Sequence, residues 1–206
     1  MASVKKFSNQ AVVNQLRHIE RTIASPKNTD IIPDREYLNY SLIPSRGISS
    51  YEYFKQRKAE LYCYNRKDVK VLAGWIVTAP KTLFPHQQEH FFKIVHNFLC
   101  ERYGTKNCIQ SIVHADESGQ PHLHFCFIPV APDLKHGGEK ICASEVLTQS
   151  ELRNFHPALE KYLNENGLNI KILTGTTKAQ GGNRTVSEMK LEREQIYSMD
   201  LCRKRW

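Results

Sequence analysis

His122-Leu123-His124-Phe125-Cys126-Phe127-Ile128-Pro129-Val130, read with Ile109-Gln110-Ser111-Ile112-Val113-His114 just upstream, decides the fold. Side chains along a strand alternate between faces, so His122 and His124 share one face while Leu123 and Phe125 take the other. The polar stretch 117–120 separates two β-branched and aromatic runs, which is the pattern of an antiparallel hairpin over 109–130. If these strands pair, His114 at the end of the first can face the same side as the other two imidazoles.

Working outward, Val69-Lys70-Val71-Leu72-Ala73-Gly74-Trp75-Ile76-Val77-Thr78 reads as a further strand, stopped by Pro80. Helical spacing of Val12, Val13, Leu16, Ile19 and Ile23 predicts a helix over 9–22 with Asn9 as its cap. Residues 24–50 read as loop. Ser50 is placed to cap a helix running to about Leu61. Pro85 opens a helix with Phe91, Phe92, Val95, Phe98 and Leu99 on its buried side, followed by Gly104. Beyond the hairpin come a short strand near Ile141, a helix over 149–166, a strand over 168–173 and a helical tail from Thr185. The order lacks a βαβ rhythm. It predicts an α+β two-layer sandwich, a central antiparallel sheet with helices packed on it, as a single domain over 1–206.

The chain has 206 residues, 29 Lys and Arg against 21 Asp and Glu, and a formal net charge of +8. That balance favours an anionic partner, nucleic acid before an acidic membrane surface. Hydrophobic residues at 40% allow a packed core and exclude wholesale disorder. The absence of an apolar run of about 18 residues excludes a bilayer-spanning helix, and no apolar segment follows the basic N-terminus. The six cysteines form no Cys-x-x-Cys pair, which predicts reduced thiols and a cytoplasmic location.

Imidazoles at 114, 122 and 124 gathered on one sheet face form a metal site with coordination positions left for water or substrate. Such a site polarises a phosphoryl oxygen. Asp116 and Glu117 lie in the same loop, able to orient a histidine N–H or act as a base. Spacing alone does not name the metal; manganese or magnesium suits a phosphate substrate, zinc the affinity order. His86 and His90 stand four apart, but Gln87 occupies the place where a metalloprotease needs Glu, so they read as a solvated helix face. His96, His136 and His156 stand alone.

The run His114-Ala115-Asp116-Glu117-Ser118-Gly119-Gln120-Pro121-His122-Leu123-His124 resembles the third motif of the Mob/Pre plasmid mobilisation relaxases (the MobV class), His-x-Asp-Glu-x-Thr-Pro-His-x-His. Arg17-His18-Ile19-Glu20-Arg21 is similar to that family's His-x-Glu-Arg segment. Asn28-Thr29-Asp30-Ile31 and Leu38-Asn39-Tyr40-Ser41-Leu42 resemble its Asn-x-Asp-Ile and Leu-Asn-Tyr-x-Leu segments. Arg66-Lys67-Asp68 and Trp75-Ile76-Val77-Thr78 also correspond, so the likeness covers essentially the whole chain. The third motif is one residue longer here, and the long C-terminal extension typical of the family has no counterpart, as expected of a relaxase domain or a minimal protein.

The resemblance implies the fold of the HUH (His-hydrophobe-His) endonucleases. It also implies site- and strand-specific nicking of plasmid DNA at a transfer origin, through a covalent 5′-phosphate intermediate and a free 3′-OH. By the same resemblance the metal ligands are His114, His122 and His124, with Mn2+ or Mg2+ as the ion. The nucleophile carries over to His18, with Tyr40 as the runner-up and Glu117 as the carboxylate that holds a tautomer. Plasmid DNA is the expected partner, with other mobilisation or conjugation proteins beside it. Arg17, Arg21, Arg35, Arg66 and Lys67 are the cations nearest the matched motifs and are expected to contact phosphates. Tyr37, Tyr40, Tyr51 and Tyr53 are candidates to stack on unpaired bases, and Arg203-Lys204-Arg205 is a candidate DNA clamp. A rolling-circle initiator or transposase on the same fold would place tyrosine after the histidine pair; Tyr162 and Tyr197 lie there without a Lys three residues on. A binding module without catalysis would bind a DNA hairpin regardless of chelators.

Overall fold

A computed structural model describes residues 2–23, 28–172 and 188. The described residues up to Ile172 lie in one compact unit. Its main sheet is five-stranded and antiparallel throughout, in the order β1-β3-β5-β4-β2. These strands are β1 (Ala2–Ser8), β2 (Tyr40–Ser41), β3 (Lys70–Thr78), β4 (Cys108–His114) and β5 (His122–Phe127). The helices are α1 (Val12–Ile19), α2 (Ser50–Ala59), α3 (Gln88–Tyr103), α4 (Ala143–Val146) and α5 (Gln149–Glu165). A separate two-stranded ribbon pairs β6 (Val130–Pro132) with β7 (Glu139–Ile141). The expected α+β class, an antiparallel sheet carrying helices, is the class observed.

The sheet's two faces differ. One is apolar and fully covered: Trp75 and Val77 of β3, Leu123, Phe125 and Phe127 of β5 and Val113 of β4 pack against Phe91, Phe92, Val95 and Leu99 of α3 and Phe155, Leu159 and Leu163 of α5. Trp75 stacks on Phe155 with centroids 3.6 Å apart, an arrangement that adds to the area buried by both rings. On the other face, Val12, Leu16 and Ile19 of α1 and Phe54 of α2 cover the part that carries Leu72, Ile109 and Cys126, with Ile112 beside them. The opposite end of that face is left to the histidines.

Several local expectations are corrected. The strand β1 was not anticipated; it forms a sheet edge on β3, with Lys5 opposite Gly74. It runs straight through one 3-10 turn (Asn9–Ala11) into α1, so Asn9 makes no side-chain cap. The cap of α2 is Ser49, one residue earlier than expected. Its hydroxyl accepts from the Glu52 N–H while Glu52 reaches back to the Ser49 N–H, a reciprocal capping box. Pro129, which has no N–H to give the ladder, separates β5 from β6. Residues 168–172 form no strand. Leu168 and Ile172 are buried against α5, and the Ile172 N–H donates to Glu160 instead of a neighbouring strand. Of the predicted helical tail only Glu188 is among the described residues, and it is helical; the Arg203-Lys204-Arg205 cluster lies outside them. The cysteines among the described residues are free thiols.

Candidate metal and DNA-nicking site

β5 is the central strand, and the register of its two neighbours builds the site. His114 of β4 lies directly opposite His122, and His124 lies between Ile112 of β4 and Ile76 of β3. Ring centroids are 4.4 Å apart for His114 and His124, 4.9 Å for His122 and His124, and 5.5 Å for His114 and His122. One nitrogen from each ring falls within 4.8 Å of the others.

The hydrogen bonds fix which nitrogens face inward. His114 Nε2 lies 2.8 Å from the Ile19 carbonyl, which can only accept, so Nε2 carries the proton. Nδ1 is then a bare lone pair, and it is buried without a partner. His122 Nδ1 donates likewise to the Gln120 carbonyl at 3.2 Å, which frees its Nε2. His124 Nε2 is buried and unpartnered as well. A ring anchored by one N–H to a carbonyl, with the other nitrogen aimed at its neighbours, is how ligating histidines are held. Burial drives the His114 pKa down to about 4 and that of His124 well below the usual value, so both rings are neutral at pH 7 and able to ligate. The unsatisfied nitrogens therefore fit a divalent cation.

A buried ion-pair cluster braces the loop between β4 and β5. Arg21 follows the end of α1 with φ 56°, a left-handed conformation that costs a non-glycine residue about 1–2 kcal/mol. This turns its guanidinium onto Asp116, with two bonds of 2.7 Å, and onto Glu117 at 2.8 Å. Asp116 is fully buried. Glu117 also accepts from Asn28 at 3.0 Å, and its second oxygen lies 3.9 Å from His122 Nε2. Asn39 accepts from the Ala115 N–H at 2.8 Å. The Asn28 and Asn39 motifs thus act here by holding the histidine loop. Replacing Arg21 by Ala leaves a buried carboxylate unpaired, and urea unfolding should show a loss of about 3–5 kcal/mol. A loss under 1 kcal/mol would mean that water reaches Asp116.

His18, in the last turn of α1, faces the same cluster, its ring centroid 6.4 Å from that of His124 and edge-on to it. Burial lowers its pKa and Arg21 lowers it further, against the opposing pull of Glu117, so the imidazole is neutral at pH 7. A small cavity of about 90 Å3 between the two rings is lined by Lys5, Gly74 and Ile76 among others. Lys5 is a cation that the sequence motifs do not mark. The alternation in β1 that puts Lys5 and Phe7 on the histidine face was its only signal.

Two expectations fail on geometry. Tyr40 lies opposite Val113, whose side chain belongs to the α3 and α5 face, and it packs against that core with its pKa pushed up to about 12 by burial and by Glu89. Its side chain therefore packs on the face of the sheet opposite the histidine cluster. Arg21 is committed to two carboxylates and offers no open charge to DNA. Arg17 and Arg35 are exposed. Arg66 and Lys67 are exposed too, but they precede Lys70 at the far end of β3, about 20 Å from Ile76 at roughly 3.3 Å per residue. Arg66 there pairs with Asp68 at 3.4 Å. Of the tyrosines, Tyr37 and Tyr51 are exposed, and Tyr53 lies under the Arg46 guanidinium.

Residues 1–190 match the family model described as plasmid recombination enzyme, Mob/Pre. The chain belongs to this family. A plasmid recombination enzyme of Streptococcus agalactiae is 28% identical over 199 residues, covering 92% of this chain and 38% of the relative. One of Lactiplantibacillus plantarum is 26% identical over 208 residues, covering 97% of this chain and 55% of the relative. The chain therefore spans about half or less of these relatives' length. In three dimensions it is similar to the relaxase domain of MobM, a MobV-class Mob/Pre protein solved with manganese and bound to the transfer-origin DNA of plasmid pMV158. The TM-score is 0.76 at 28% identity, over 93% of this chain and 97% of that one.

Proposed function

We propose that this Mob/Pre chain nicks and rejoins one DNA strand at a plasmid transfer origin. The observation that carries this reading is the trio of imidazoles with two unpartnered buried nitrogens, facing a neutral His18 across a small cavity. Bound by His114, His122 and His124, a divalent cation supplies Lewis-acid polarisation of a non-bridging phosphate oxygen. Manganese fits better than magnesium, because imidazole nitrogens are softer than the oxygens magnesium prefers; the related MobM domain carries manganese.

His18 attacks phosphorus with its ring lone pair. The P–O3′ bond breaks, the leaving 3′ oxygen takes a proton from solvent, and the 5′-phosphate remains on the ring as a phosphoramidate. Return attack by the 3′-OH rejoins the strand. Glu117 is a positioning residue: it sits beside His122 and its charge reaches His18. Lys5, with the exposed Arg17 and Arg35, supplies charge for the strand. DNA as substrate and free thiols support a cytoplasmic location. Among the described residues no helix is long and apolar enough to cross a membrane. Other mobilisation or conjugation proteins are proposed partners, and 1–206 is proposed to act as one relaxase domain.

Supercoiled plasmid bearing the chain's own origin should turn into open circles with protein and manganese, and EDTA should stop it. Supercoiled DNA that persists with manganese present would overturn the reading.

A further inference from the structure

The same sheet face carries a second cavity of about 280 Å3, lined by Gln110 and Ile112 of β4 and by Glu20 just after α1. Its walls include Ile43, Pro44, Ile48 and Ile112, and Ile48 at its rim is 40% exposed. Its polar lining is weighted toward acceptors: the Ser41 and Ser50 hydroxyls donate to the Ile43 carbonyl and to Glu20, and Ser45 accepts from the Gly47 N–H. Gln110 is only 1% exposed; its amide N–H groups donate to the Leu16 carbonyl at 3.2 Å and to Glu20 at 2.8 Å, while its Oε1 is buried and has no partner. Glu20, held also by the Ser50 hydroxyl at 2.6 Å, adds a carboxylate. The one cation in the lining, Arg46, is turned onto the Cys108 and Ile109 carbonyls at 2.7 and 2.8 Å and onto the Tyr53 ring. The cavity thus offers hydrogen-bond acceptors between apolar walls, and its carboxylate repels phosphate. It lies close to the metal cluster, since Ile112 is directly opposite His124 in the ladder. Its volume falls below the roughly 300 Å3 at which drug-sized pockets begin, which suits one ring system.

We propose that this cavity is a base subsite that takes a single unpaired nucleobase bearing an exocyclic amino group, stacked between Ile48 and Ile112 and donating to Gln110 Oε1 and Glu20. Extruded bases are read in this way, by apolar stacking and hydrogen bonds to their edge. The inference rests on the DNA-processing reading above and adds a position at which that activity selects sequence.

The test uses a fluorescein-labelled oligothymidine about 15 nucleotides long, and the same strand with one central dG, dA or dC, titrated by anisotropy with manganese present. Wild-type protein should bind at least one amino-bearing strand about fivefold or more tighter than oligothymidine. Ser45→Trp, which fills the cavity from an exposed loop position, should bind all four strands alike, and Gln110→Met should do the same. Equal binding of all strands by wild type, or a preference that survives in Ser45→Trp, overturns the subsite. If origin plasmid is still nicked in that case, the proposed function stands and the subsite alone fails. If wild type binds no strand and nicks nothing, both fail.

Discussion

His18→Ala protein should bind origin DNA and form no covalent adduct with it. A strand labelled at its 3′ end, incubated with manganese and run on a denaturing gel, should shift with the wild-type protein and not at all with the variant. The expectation rests on access. His18 opens onto the cavity beside His124, whereas Tyr40, the other nucleophile the sequence offers, is turned into the α3 core by its pairing with Val113. Burial keeps the His18 imidazole neutral, which is the nucleophilic form. Tyr40→Phe should leave the adduct unchanged. An adduct that survives loss of His18 and disappears with Tyr40→Phe would reverse the assignment.

His124→Leu should do two opposite things. It removes one ligand of the metal cluster, so nicking should fall on the order of 10^3-fold or more, and manganese should no longer raise the melting temperature. It also removes a buried nitrogen that has no partner in the metal-free protein. Such an atom costs about 1–3 kcal/mol, and the two cross-strand partners of His124, Ile76 and Ile112, are apolar. With EDTA present, the variant should therefore be more stable than wild type, by about 1 kcal/mol or more. Calorimetric melting of both proteins with EDTA and with excess manganese checks the pair of effects. Wild type should gain about 2.7 kcal/mol at a metal concentration 100 times its dissociation constant, and the variant nothing. A variant that melts below wild type in EDTA, and that still gains from manganese, would mean that the ring is held for packing and not for metal.

The histidine face of β5 follows from alternation alone, and the pairing of His114 with His122 follows once the polar loop is seen to join two strands. The Asp-Glu pair in that loop is visible as well, but its partner is not. Arg21 looks like any surface cation beside a helical histidine. Its bond to Asp116 joins residues 95 apart in the chain, and only the left-handed turn after α1 makes it possible. Lys5 went unseen because a seven-residue edge strand with two lysines has little hydrophobic pattern. The segment 168–172 misled for the converse reason: Leu168 and Ile172 are apolar as a strand requires, yet their burial is against α5.

By itself, the sequence determined β3, β4 and β5, their alternation and the convergence of the imidazoles on one face, because side-chain period and hairpin pairing are local properties of a chain. Tertiary structure decided that His18 and not Tyr40 lies on that face, which of the basic residues stay exposed, and that a second cavity opens on the same face. Those outcomes depend on where α1 crosses the sheet and on the parity of β2 against β4, and both are set by packing between segments distant in sequence.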